Sequence, residues 1–122
     1  MKITRLYSDK NGESHFEDID IPLKDGGDIG SLSDILPVNG MMLRENPGDY
    51  NYDWHPAPRK QYIVMLEGIL VVEVSDGEQR TFPPGDILLV EDTEGKGHKS
   101  WVPDAKPRKS LFIAIGDKTG DT

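Results

Sequence analysis

Two histidines, His55 and His98, are the side chains best suited to chemistry near neutral pH. Histidine takes a proton there as imidazole or gives one as imidazolium. Two imidazoles also make a partial site for zinc, nickel, iron, manganese or copper. Alternate residues of a strand share a face. Gln61, Ile63 and Met65 therefore share one face, and His55 has the same parity if Pro56 and Pro58 insert no bulge. His55 and Gln61 are expected to look into one cavity lined by Ile63 and Met65, with His98 arriving from another strand. Gln61 brings a carbonyl oxygen but no charge, which weakens its hold on a dication. A compensating carboxylate would come from Asp53, Glu91 or Asp92, and spacing does not choose among them. His55, Gln61 and His98 are thus the candidate metal ligands, for one weakly held divalent transition metal or none. Without metal, His55 and His98 are the candidate catalytic acid–base pair. The plainer alternatives are histidines that hydrogen-bond a bound ligand, or satisfied histidines in a polar core.

Other side chains are candidates for substrate binding. Arg59 shares the parity of Gln61 and would meet a ligand carboxylate, although a solvated rim charge is the simpler reading. Met65 would line the cavity, and Trp101 belongs to an aromatic set with Tyr52, Trp54, Tyr62 and Phe112. Trp54 and Tyr62 have the opposite parity and are expected between sheets or in a subunit interface. His15 shares the parity of Ile19 and Ile21 and reads first as a strand histidine with an ordinary hydrogen bond. The acidic run at 91–94 reads as a solvated loop, with Gly95-Lys96-Gly97 able to fold it over a pocket as a lid.

The elements that must position these residues are strands. Short apolar or alternating runs fall at 3–8, 14–21, 40–44, 54–66 (broken early by Pro56 and Pro58, which suggest an edge or a bend), 69–74, 80–82, 87–90, 98–102 and 111–115. Asn11-Gly12 predicts a type I′ hairpin, Asp76-Gly77 a second hairpin, and Pro84-Gly85-Asp86 a further turn. The stretch 24–34 reads as a loop, with a short turn of helix near 31–36. Many short strands at hairpin spacing predict one all-β domain, an antiparallel sandwich or barrel. Its N-terminal hairpin would be 3–21, its core 40–115, and its tail, frayed, 116–122.

Several of these segments carry a resemblance. The strings WHPAPRKQY, LEG, DGEQRTFPPGD and EDTEGKGH resemble small single-domain bacterial cupins of the RmlC-like superfamily. The likeness covers most of the chain and is weakest before Gly40 and after Pro103. It implies a cupin-type jelly-roll barrel of short antiparallel strands with a pocket inside, often as a homodimer. Metal-binding cupins place three histidines and a glutamate in that pocket. Here Ala57 stands at the second histidine position and Gln61 at the glutamate position, which reduces the implied ligand set to His55, Gln61 and His98. Metal-free cupins of the sugar-epimerase kind use a pocket histidine for acid–base work. The implied function is a small-molecule enzyme acting on an organic acid, sugar or ketone. A binding or sensing module with a degenerate metal site is the alternative.

Composition limits the other classes. The 122 residues suit one domain. The net charge of -8 repels phosphate backbones and anionic lipid, so neither a nucleic-acid nor a membrane partner is expected. The nearest basic cluster, Lys106, Arg108 and Lys109, reads as a solvated loop. There are no cysteines, which excludes disulfides, thiolate metal sites and cysteine nucleophiles and fits a cytoplasmic location. No run is apolar and long enough for a signal peptide or a spanning helix. Open strand edges near the N-terminal hairpin would suit an edge-paired homodimer.

Overall fold

The computed structural model describes residues 1–116. Beyond Gly116, the tail expected from 116 onward lies outside the described residues. The chain is all-β, with strands β1 (Lys2–Ser8), β2 (Ser14–Asp20), β3 (Lys24–Asp25), β4 (Ser31–Leu32), β5 (Gly40–Asn46) and β6 (Asn51–His55). They continue as β7 (Gln61–Glu67), β8 (Leu70–Val74), β9 (Gln79–Phe82), β10 (Ile87–Val90), β11 (His98–Trp101) and β12 (Arg108–Ala114). Six strands form one sheet in the order β2-β1-β10-β7-β12-β5, and four form a second in the order β6-β11-β8-β9. Among the described residues, no helix is long and apolar enough to cross a membrane.

The two sheets face each other over a shared core. Period-two patterning drives this arrangement: Gln61, Ile63 and Met65 of β7 are buried, and the residues between them are not. Leu6, Ile63, Leu88 and Val90 from the first sheet pack with Leu70, Val72, Val74 and Phe82 from the second.

Four sequence expectations need correction. The sheets are not wholly antiparallel, because β1 runs parallel to β10 with Thr4 opposite Leu88. The loop at 24–34 is a ribbon, β3 against β4, around a 3-10 turn at Gly27–Ile29. Ser31 and Leu32 are strand-paired there, so no helical turn forms at 31–36. The Asn11-Gly12 hairpin is not type I′, because Gly12 alone has positive φ, +84°. Its loop is closed by Asp9, whose Oδ1 accepts from the N–H groups of Asn11 and Glu13 at 2.8 and 3.1 Å. Finally, the break expected at Pro56 and Pro58 within 54–66 is a change of sheet, not a bend within one strand face. β6 ends at His55 in the four-stranded sheet and β7 begins at Gln61 in the six-stranded one, with Pro56-Ala57-Pro58 carrying the chain across. Neither proline can donate to a ladder, so the crossing falls there.

Candidate functional site

A cavity of about 320 Å³ opens between the sheets and is lined by His55, Gln61 and His98 over a mostly apolar wall. His55 and Gln61 meet in it from strands of different sheets, not from one strand with a common parity. His98 opens β11 directly opposite His55 of β6, and the register then slips before Ser100. Ser100 pairs with Tyr52, so the slip turns both Tyr52 and His55 to the cavity. Gly97, with φ +72°, makes the approach possible, since a Cβ there would overlap the His55 carbonyl. The imidazoles of His55 and His98 end with ring centres 4.6 Å apart, and Tyr52 stacks on His55 at 3.8 Å.

Both imidazoles are oriented through Nδ1. His55 Nδ1 lies 2.7 Å from the Asp53 carbonyl oxygen. A carbonyl only accepts, so Nδ1 carries the proton and Nε2 keeps its lone pair. His98 Nδ1 lies 2.5 Å from Asp92 Oδ2, and Asp92 is fully buried. Burial pushes the Asp92 carboxyl up, and the bond to His98 opposes that rise. The Asp92 backbone carbonyl accepts from Ala57 N at 2.9 Å, which ties the dyad to the crossover beneath His55. The acidic run is therefore not a uniformly solvated loop. Of the three carboxylates the sequence left open, Asp92 is the one bonded to a candidate histidine. Gln61 is 3% exposed, and its Oε1 has no hydrogen-bond partner among the described residues.

The remaining sequence candidates lie elsewhere. Arg59 is partly exposed and does not line the cavity. Trp101 lines a separate shallow depression beside Tyr50 and Val102. Met65 is buried in the core, 3.7 Å from Arg108 Nη1. His15 is held between Asp9 and Asp76 at 2.7 and 2.8 Å, at the tips of two hairpins.

Asp92 was one of three options, and two further residues were missed. Arg44 and Tyr50 line the cavity. Arg108, expected in a solvated loop, has no exposed surface. No period-two pattern marks it, because Arg108 and Ser110 share a face with Phe112 while Lys109 shares the other with Leu111 and Ile113.

The donor set for a dication is short and uncharged, and would hold one weakly. Among the described residues, no three His, Cys, Asp or Glu side chains group closely enough to hold a metal. Two imidazoles and the Gln61 amide would be the ligands, none of them anionic. Asp92 is engaged by His98, and Arg44 puts a positive charge on the cavity wall.

No family model matches the chain, and no curated protein matches it. Among solved structures, it is similar to the crystal structure of protein NMB1881 from Neisseria meningitidis. The identity is 21% over 62% of this chain and 72% of that one, with a TM-score of 0.49.

Proposed function

We propose that this chain is a cupin-type jelly roll whose cavity carries out proton transfer on a small organic molecule, with His98 as the general base. The observation that carries the reading is the Asp92–His98 pair, set beside His55 in a largely apolar cavity. An ionised Asp92 fixes the tautomer with hydrogen on Nδ1 and leaves Nε2 free to take a proton. It also offsets the positive charge that then develops on the ring. His55, once protonated, returns a proton to another atom of the substrate. Gln61 Oε1, buried and unpartnered, accepts a hydrogen bond from a substrate hydroxyl. Base and acid side by side fit an isomerisation or tautomerisation beside a carbonyl.

Deuterium exchange tests this without knowledge of the physiological substrate. Small ketones and 2-oxo acids are incubated with the protein in D2O and followed by proton NMR. Exchange of the C–H beside the carbonyl is expected in the wild type and lost in His98→Gln. Binding with no exchange would instead favour a non-catalytic binding module. The replacement of an anionic ligand by Gln61 supports that second reading. A homodimer would form at β5, an edge strand with Met41, Met42 and Leu43 exposed. The opposite edge, β2, bears Glu17, Asp18 and Asp20, and two copies would repel there.

A further inference from the structure

Two arginines on the inner face lack a counter-ion among the described residues. Arg108 has no exposed surface, and the side chains it touches, Asn46, Met65 and Tyr50, are neutral. Nη2 donates to Asn46 Oδ1 at 2.6 Å, Nη1 approaches Met65 Sδ at 3.7 Å, and Nε has no partner. Arg44 lines the cavity, with its guanidinium 4.9 Å from the Tyr50 ring centre and 4.7 Å from that of Phe112. Arg108 lies 5.4 Å from the same Tyr50 ring. In the ladder between β12 and β5, Arg108 faces Asn46 and Ser110 faces Arg44, so the two cations are diagonal neighbours. The Ser110 hydroxyl between them is buried and unpartnered. Among the described residues, neither arginine forms an ion pair. Asp92 is the one buried carboxylate among them, and it is bonded to His98.

Holding two positive charges this way is costly unless an anion joins them. Burial, with the charge of Arg44 next, pushes the Arg108 pKa down to about 10, which still leaves it charged at neutral pH. An anion binding here gains from both charges.

We infer that the cavity takes a small organic carboxylate, its anionic end against Arg44 and its reacting end toward His55 and His98. Arg44 makes the contact. Arg108 is a positioning residue behind Tyr50 that adds positive potential. A carboxylate fits better than a phosphate, because Arg44 is the one cationic side chain on the wall and most of the wall is apolar. This rests on the cavity being the ligand site, and it names the substrate class of the proton-transfer reading.

The test is calorimetric titration of the full chain with benzoate, hexanoate and pyruvate. The neutral counterparts are benzamide, hexanamide and pyruvamide, and phenyl phosphate serves as the phosphate arm. At least one carboxylate is expected to bind at millimolar concentration, with its amide at least about tenfold weaker. Arg44→Gln should erase that preference, and His98→Gln should keep it. Arg108→Lys, which retains the charge, should bind more nearly like wild type than Arg108→Met. Equal affinity for acid and amide, no binding of any carboxylate, tighter binding of phenyl phosphate, or an unchanged preference in Arg44→Gln would each overturn the inference. Carboxylate binding without deuterium exchange would leave it standing while removing the proton-transfer reading. Exchange of neutral ketones with no preference for acids would do the reverse.

Discussion

His98 Nδ1 lies 2.5 Å from Asp92 Oδ2, and Asp92 has no exposed surface, so the imidazole is held from behind by a buried acid while its other nitrogen stays free. Asp92→Asn keeps the shape and removes the charge. An amide also lets the ring adopt the other tautomer. The deuterium-exchange rate is expected to fall by about a hundredfold or more, with carboxylate affinity little changed. Equal exchange rates in the variant and the wild type would show that Asp92 does not orient His98 for proton transfer.

Gly97 brings the start of β11 against the His55 carbonyl at a positive φ. Gly97→Ala adds a clash with backbone to a strained conformation. It should destabilise the fold by about 2 kcal/mol, measured by urea unfolding. An unchanged midpoint would mean that the two histidine strands are not pressed together as described.

The His15 clip makes stability depend on pH. Hydrogen bonds to Asp9 and then Asp76 raise His15 above its ordinary 6.5. Its stabilising contribution is complete below that value and fades as pH rises through the higher folded-state value. Asp9 is lowered first by its bond to His15, and Asp76 first by the backbone N–H of Glu78. Their contributions are present above the ordinary 3.8 and are lost as pH falls through the lowered values. The melting temperature should therefore drop from about pH 6 to about pH 8, and the drop should shrink in His15→Gln. Identical slopes in the two proteins would remove the clip from this account.

A buried charge held for a ligand weakens the ligand-free protein. Arg108→Met replaces an unpaired cation with an apolar chain of similar length. Chemical denaturation without ligand should show a gain of about 1 kcal/mol or more. A loss of stability would mean that the contacts to Asn46 and Met65 outweigh the cost of burying the charge.

Metal content separates the two ways of using the histidines. Elemental mass spectrometry of untagged protein should find zinc, nickel, iron, manganese and copper all well below one equivalent, because the set His55, Gln61 and His98 contains no anion. About one equivalent, lost in the His55→Ala/His98→Ala double variant, would restore the metal site as the working reading.

Strand content, most turns and the candidate histidines were legible in the sequence, because period-two patterning and Gly/Asp turns are local properties. Ile63 and Met65 alternate with Tyr62 and Val64 whatever they pack against. The parity that linked His55 to Gln61 was local reasoning carried across two prolines, where the chain changes sheets. Only the tertiary structure decided that both line one cavity. It also decided that Asp92, and not Asp53 or Glu91, bonds to His98 through its carboxylate. Side-chain partnership depends on distance in space, and 91–94 carries no period that marks one acid as buried. Arg108 belongs with the second case: no local pattern marks it, and burial of an arginine runs against its usual place at the surface. Two sheets closing over it, with Arg44 as a second cation nearby, set a charge there that no described residue balances with an ion pair.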